Sequence, residues 1–387
     1  LLKLFPSITI TTNIRFHISH CRIMGKLLIP IVIGLCAFAW RIYESMDMGR
    51  TIYNHRPGVC RQVHGPVKGS EDIEVIRSEG IAFVTSGLIY LQPTRAHVEG
   101  KMFLYDFNQK LGTEQLKAKE LLIKGSNFDQ NNFHPHGLSH WVVNGVIQLY
   151  VINHDDDFKH SIEVFDYDPT GPSLIHKKSL KHPTFVRPNN IVAVGADQYI
   201  ITNDGVAQTE IGNFFEILSG YKGGTVYFWD GKESHQILSG MGAPNGITYD
   251  IETNKLFISE VNYRRIHAFD LAKDKKSVTL LSTVNLYSAC DNLFLDSDGS
   301  VYSGCHSVLI ETAKSIGDCD GEATSPSQVL RVKFDSEYKT ASVSEPYSND
   351  GKEVSGSSVA ALYNNQMLIG TVCKGLLHCE VTHPSVL

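Results

Sequence analysis

Residues 245–260 read NGITYDIETNKLFISE: a polar head, a short apolar run, a turn at Glu252-Thr253-Asn254, and a second apolar run ending in Ser259 and Glu260. Two such runs bridged by a turn cluster form a hairpin pattern. The phrase restarts along the chain as GSEDIEV (69–75) with GIAFVTSG (80–87), PHGLSHWVVNGVIQLYVIN (135–153), NNIVAVGADQYIITND (189–204), DNLFLDSDGSVYSGCH (291–306) and SSVAALYNNQMLIGTV (357–372). Heads fall near Gly80, Gly137, Asn190, Asn245, Asn292 and Ser358, 47 to 66 residues apart. A recurring unit of roughly 40–50 residues holding several strands is the pattern of a propeller blade. The repeats predict an all-β fold, a six-bladed β-propeller, whose inner strands line one central tunnel. Equivalent heads would then converge at the tunnel mouth.

A chain of 387 residues could hold two or three ordinary domains. The repeat period favours one ring instead, and no low-complexity tract or long Pro/Ser linker divides it. A formal net charge of −6 argues against a nucleic-acid partner, which calls for a basic surface. Residues 1–23 lack an initial Met and any clear period, whereas Met24-Gly25-Lys26 reads as a start, so 1–23 is expected to be upstream or untranslated. Residues 24–45 read as a signal peptide or signal anchor. Leu27–Trp40 is apolar between Lys26 and Arg41, short of the ~20 residues a span needs, and Ala37-Phe38-Ala39 offers a cleavage site. The propeller would occupy 46–387. This places the chain in the secretory pathway, extracellular or membrane-anchored and facing the lumen or outside.

Of eight cysteines, Cys21 and Cys36 belong to the leader. No CxxC pair occurs, which argues against zinc. Cys60 precedes the first repeat and Cys379 follows the last, so a ring that pairs its first and last strands would bring them together as a disulfide. Cys290 and Cys305 read as buried thiols.

The heads carry the chemistry. Glu71 and Asp72, Asn189 and Asn190, Asn245, and Asp291 and Asn292 come from four repeats in equivalent places. A single Asn before a strand is an ordinary turn residue, but four blades presenting oxygens in register suit calcium, which takes six to eight oxygen ligands. His136 heads the second repeat and His154 ends its second run, and imidazole is the usual general base near neutral pH. His134, His140, His160 and His182 read as surface or core residues, and His306 has no assigned role. Serine-elbow, zinc-helix, Walker and dinucleotide motifs are absent. Residues 206–221, VAQTEIGNFFEILSGY, form an amphipathic run, read as an inserted helix packed on the ring or, alternatively, set at the mouth to meet substrate or membrane.

Taken together, GSEDIEV, FHPHGLSHW, NNIVAVG…TND, PNGITY, CDNLFLD…GCH and SSVAALYNNQMLIGTV…LLHCEV resemble the paraoxonase/arylesterase family from about Cys60 to Cys379. The resemblance implies two calcium ions in the tunnel, a disulfide joining the chain ends, and hydrolysis of lactones and aryl esters. It assigns Glu71, Asn189, Asn245, Asp291 and Asn292 to a catalytic calcium. His136 becomes the general base and His154 its relay partner. A second, structural calcium would use Asp72, the Leu138 backbone carbonyl and Asn190. Better-known members carry Asp at the last of these positions, and losing that charge should weaken the second ion. Small lactone or ester substrates are implied, together with a lipid or membrane surface for the N-terminal segment. Specificity would come from loops 86–100 and 206–221. Two other readings share the architecture: a membrane-anchored, non-catalytic chaperone or accessory subunit of an ion channel, with a membrane-protein partner, and a one-metal sugar lactonase.

Overall fold

The computed structural model describes residues 11–89, 98–111, 115–126 and 128–382, with side chains from residue 28 onward. The first ten residues of the expected upstream segment and 90–97 of the expected specificity loop lie outside the described residues. The chain divides into two compact units, Leu1–Met48 and Gly49–Leu387.

In the first unit, Thr11–Ser45 is one helix, α1. Its stretch Leu28–Ser45 has a mean hydropathy of 1.4 and is long and apolar enough to cross a membrane. The apolar segment therefore runs further than the Leu27–Trp40 core legible in sequence, because Ile42 and Tyr43 continue it past Arg41.

The second unit is the six-bladed propeller. Blades two to five each run through four consecutive antiparallel strands, for example Pro244–Asp250, Lys255–Glu260, Arg265–Leu271 and Val278–Asn285 in blade four. Blade two adds Leu122–Lys124, parallel to its outermost strand Ser173–Leu180. Inner strands are covered on both faces by neighbouring blades, so Pro188–Gly195 is buried along nearly its whole length. That explains the continuous apolar runs in the repeats. Outer strands such as Ser173–Leu180 are largely exposed past their first residues and carry a weaker signal. The core lies between blades: Phe83, Leu138 and Leu149 join blades one and two, and Val226, Phe228, Leu256 and Ile258 join three and four.

Blade six takes Ser355–Tyr363, Gln366–Lys374 and Leu376–Glu380 from the end of the propeller and Cys60–Gln62 from its beginning. Cys60 stands opposite Cys379 in that pairing, and the two are disulfide-bonded. Cys290 and Cys305, expected as thiols, are also bonded, as are Cys319 and Cys373. The first of these pairs sits opposite in register on adjacent strands, a relation that residue spacing does not disclose.

One local irregularity positions the functional side chains. The register between first and second strands slips at Pro135/Leu138, Pro188/Ile191, Pro244/Ile247 and Cys290/Leu293. Each slip sets one extra residue on the inner strand, a bulge that interrupts the alternation of side chains. Adjacent residues such as Asn189 with Asn190, and Asp291 with Asn292, thereby all become tunnel residues and stay buried.

Candidate metal and proton-transfer site

The heads of blades one to five meet at a cavity of about 130 Å³ lined by Glu71, His136, Asn189, Asn245, Asp291 and His306. Close packing of the inner strands brings them together. A Cβ on Gly246 would fall 2.4 Å from the Asp291 carbonyl oxygen and 2.6 Å from the Asn292 Cα. A side chain there would push blades four and five apart. Hydroxyls on the inner two strands of one blade then lock the head of the next. Thr202 donates to the Asn245 carbonyl at 2.6 Å, Ser259 to that of Asp291 at 2.9 Å, and Ser358 to that of Glu71 at 2.7 Å, closing the ring.

Four buried oxygens in this cluster have no hydrogen-bond partner: Glu71 Oε2, Asn189 Oδ1, Asn245 Oδ1 and Asp291 Oδ1. An unsatisfied buried acceptor costs about 1–3 kcal/mol, and four of them from four blades, converging on one cavity, form an arrangement that a bound cation would satisfy. Two carboxylates and two amide oxygens are a hard donor set that suits calcium. Neighbours fix how the Glu71, Asn189 and Asp291 oxygens point. Asp204 accepts from Asn189 Nδ2 at 3.0 Å, which turns Asn189 Oδ1 toward the cavity. Asp204 is held in turn by the buried guanidinium of Arg187, which also pairs with Glu216 at 3.0 Å. His306 Nε2 holds Asp291 Oδ2 at 2.9 Å, giving that histidine a place.

Asn292 is oriented differently. Its Nδ2 donates to Glu71 Oε1 at 2.7 Å, and its Oδ1 accepts from Asn190 Nδ2. The cradle expected for a second ion is filled by protein donors. Asp72 accepts from Ile73 N–H at 2.9 Å, Leu138 N–H at 3.0 Å and Asn190 Nδ2 at 3.2 Å. Asn190 Oδ1 accepts from the Ile191 N–H at 2.6 Å, so its amino group is the end that faces Asp72. A cation there would confront N–H donors, and the residues do not fit a second ion. The amide of Asn190 clasps Asp72 to Asn292 in its stead. Burial and then the adjacent Glu71 carboxylate push the Asp72 acid well above its ordinary range.

His136 Nδ1 lies 2.9 Å from His154 Nε2, and His136 Nε2 lies 3.5 Å from Glu71 Oε1. Burial works against a charge on His136, but the carboxylates of Glu71, Asp204 and Asp291 outweigh it and raise its affinity for a proton. His154 goes well below the usual imidazole range, through burial first and then the nearby His160 and His136. The basicity of His136 thus comes from carboxylates, with His154 held neutral behind it.

The expected helix over 206–221 is α2, Glu210–Ser219, capped by the Thr209 hydroxyl and by Gly220. It is inserted between second and third strands, at the rim where the heads lie. Ile211 and Phe215 are exposed at 72% and 63%, and only Leu218 is buried, so most of the apolar face stays uncovered instead of packing on the ring. A second inserted helix, α3 (Leu309–Gly317), occupies the equivalent position in blade five and is not apparent in the sequence.

Residues 53–381 match the family described as Arylesterase. Human serum paraoxonase/lactonase 3 is 31% identical over 369 residues, covering 92% of this chain and 100% of that protein. Human serum paraoxonase/arylesterase 1 is 29% identical over 369 residues, with the same coverage. The Caenorhabditis elegans mechanosensory abnormality protein 6 is 29% identical over 373 residues, covering 93% of this chain and 96% of its own. Among solved structures, a luciferin-regenerating enzyme superposes with a TM-score of 0.52 at 10% identity, over 83% of this chain and 94% of that one, a likeness of fold.

Proposed function

The chain belongs to the arylesterase family, and from that premise we propose a hydrolase of small lactones and aryl esters that uses one calcium ion and His136. The observation that carries this reading is the set of four unpartnered oxygens beside the His136–His154 pair.

Glu71, Asn189, Asn245 and Asp291 would hold the ion, with Asn292 fixing Glu71. When bound, calcium supplies Lewis-acid polarisation of the substrate carbonyl. His136 takes a proton from the attacking water at Nε2, the ring nitrogen nearest Glu71. His154 keeps the ring oriented through its 2.9 Å contact. Leu88, Ile217 and Val372 form an apolar wall on the same cavity, suited to the acyl or aryl part of a small ester. The three disulfides and the apolar Leu28–Ser45 support maturation in the secretory pathway with attachment to a membrane or lipid surface.

Hydrolysis of aliphatic lactones and phenyl acetate should disappear with a calcium chelator. His136→Gln should lower kcat by roughly 10²–10⁴-fold while calcium binding persists. If the folded, calcium-loaded protein turns over no member of such a panel, the hydrolase reading fails and a non-catalytic, membrane-anchored scaffold replaces it.

The filled cradle at Asp72 bears on stoichiometry. Calorimetric titration should find one calcium per wild-type chain. Asn190→Asp, which exchanges the donor amide for a carboxylate, should take two. A wild-type chain that binds two ions would overturn the one-ion assignment.

A further inference from the structure

His160 read in sequence as an ordinary surface or core histidine, yet it continues the line of rings that leaves the cavity. His154 Nδ1 lies 2.7 Å from His160 Nδ1, so His154 contacts His136 with one ring nitrogen and His160 with the other. The strands dictate this placement. His154 ends the second strand of blade two, His160 begins the third, and the two stand opposite in register. Phe158, in the turn between them at φ 58°, packs its ring 5.0 Å from His154 and 4.8 Å from His160. His154 is fully buried, whereas His160 is half-buried and lines an open groove of about 450 Å³ with Lys159, Lys181 and His182.

We propose that His160 is the outer member of a three-imidazole relay, a positioning residue that sets the tautomers of His154 and His136 and connects them to solvent. This rests on the hydrolase reading with His136 as base. The Val186 backbone carbonyl draws a proton to the His160 ring. With that proton on Nε2, His160 Nδ1 accepts from His154 Nδ1–H, and His154 Nε2 accepts from His136 Nδ1–H. His136 Nε2 is then the lone pair at the cavity, the form a general base requires. A proton taken there displaces one from His136 Nδ1 to His154 Nε2, then one from His154 Nδ1 to His160 Nδ1. The last leaves His160 Nε2 for water in the groove. One proton enters and one leaves, every ring ends neutral, and passage in reverse returns a proton to the departing alkoxide. The relay needs His154 and His160 neutral, so that each can receive the proton. Burial pulls His160 down to about 4 against the opposing pull of Val186, Asp204 and Asp155, so the ring is neutral at pH 7.

The test compares His160→Ala and His160→Phe with wild type in steady-state ester hydrolysis, each checked for an unchanged thermal midpoint. Both should lose roughly tenfold in kcat with KM unchanged, a fraction of what general-base catalysis supplies. Millimolar imidazole, entering the vacated groove, should restore most of the loss in His160→Ala and none in His160→Phe, whose ring fills the space. A His160→Ala variant with wild-type kcat would overturn the proposal. A wild-type protein that hydrolyses nothing would sink the hydrolase reading instead. The relay is then judged from the low-field ring N–H proton of His154 by NMR, which must be present in wild type and lost in His160→Phe. Its absence from wild type would overturn the relay by itself.

Discussion

Replacing Asp291 by Ala will abolish chelator-sensitive hydrolysis, lowering kcat/KM by roughly 10³-fold or more. Asp291 supplies one of the two carboxylates among the four unpartnered oxygens, so its loss removes half the negative charge of that donor set. The side chain is held in place from several sides. His306 binds one oxygen at 2.9 Å, Ser259 binds its backbone carbonyl at 2.9 Å, and Gly246 lies against its backbone. Asp204, the remaining carboxylate among the described residues lining the cavity, is held by Arg187 and Asn189 and does not substitute for it. Stability offers a second readout. A ligand at about 100 times its Kd adds about 2.7 kcal/mol to the folded state, so the wild-type melting midpoint should rise with calcium and that of Asp291→Ala should not. Asp291→Asn keeps the shape and loses the charge, and should fall between the two. An Asp291→Ala protein that hydrolyses esters at the wild-type rate, with chelator still inhibiting, would remove Asp291 from the site.

The largest stability loss is expected from the paired change Cys60→Ser with Cys379→Ser. The Cys60–Cys379 bond spans 319 residues, and chain-entropy arguments assign roughly 5–6 kcal/mol to closing a loop of that size. Besides the bond, that edge of blade six is held by the three-residue strand Cys60–Gln62, by flanking backbone bonds such as Glu380 N–H to the Val59 carbonyl, and by the Arg61–Glu380 ion pair. Breaking Cys290–Cys305 should cost less. It closes a separation of only 15, worth about 3 kcal/mol by the same reasoning, between strands already joined in a ladder. The guanidinium midpoint should therefore drop far more for the first pair than for the second. Equal midpoints for the two double variants would refute the view that the terminal bond is the principal closure of the ring.

Much of this architecture was legible because inner strands are buried on both faces and so write long apolar runs, each opened by a polar head. Asn189, Asn245 and Asp291 could be picked out since an unusual residue recurred at one place in the repeat. The rest depended on contacts that periodicity does not encode. Arg187 and Asp204 orient Asn189 from outside the head, and nothing in their spacing marks the pair. The direction in which the Asn190 amide points follows from the Ile191 N–H beside it, so the sequence showed a lost carboxylate and not the clasp that takes its place. His160 was lost among seventeen histidines because its partner stands across a turn instead of along a strand. The bulges explain why adjacent head residues share the tunnel, a fact that strict strand alternation would have denied.

The mixed parentage of the sixth blade also has a bearing on how the protein is made. Cys60–Gln62 leaves the ribosome early, yet its pairing partner Leu377–Cys379 belongs to the final stretch of the propeller. At about 5–20 residues per second, roughly 15–60 s of translation separate the two. Throughout that interval the first strand has no mate and the nascent propeller has two raw edges, each a template for unwanted association. Ring closure is therefore an event that follows synthesis of the last blade. Any factor that shields nascent strands would have to hold on until then.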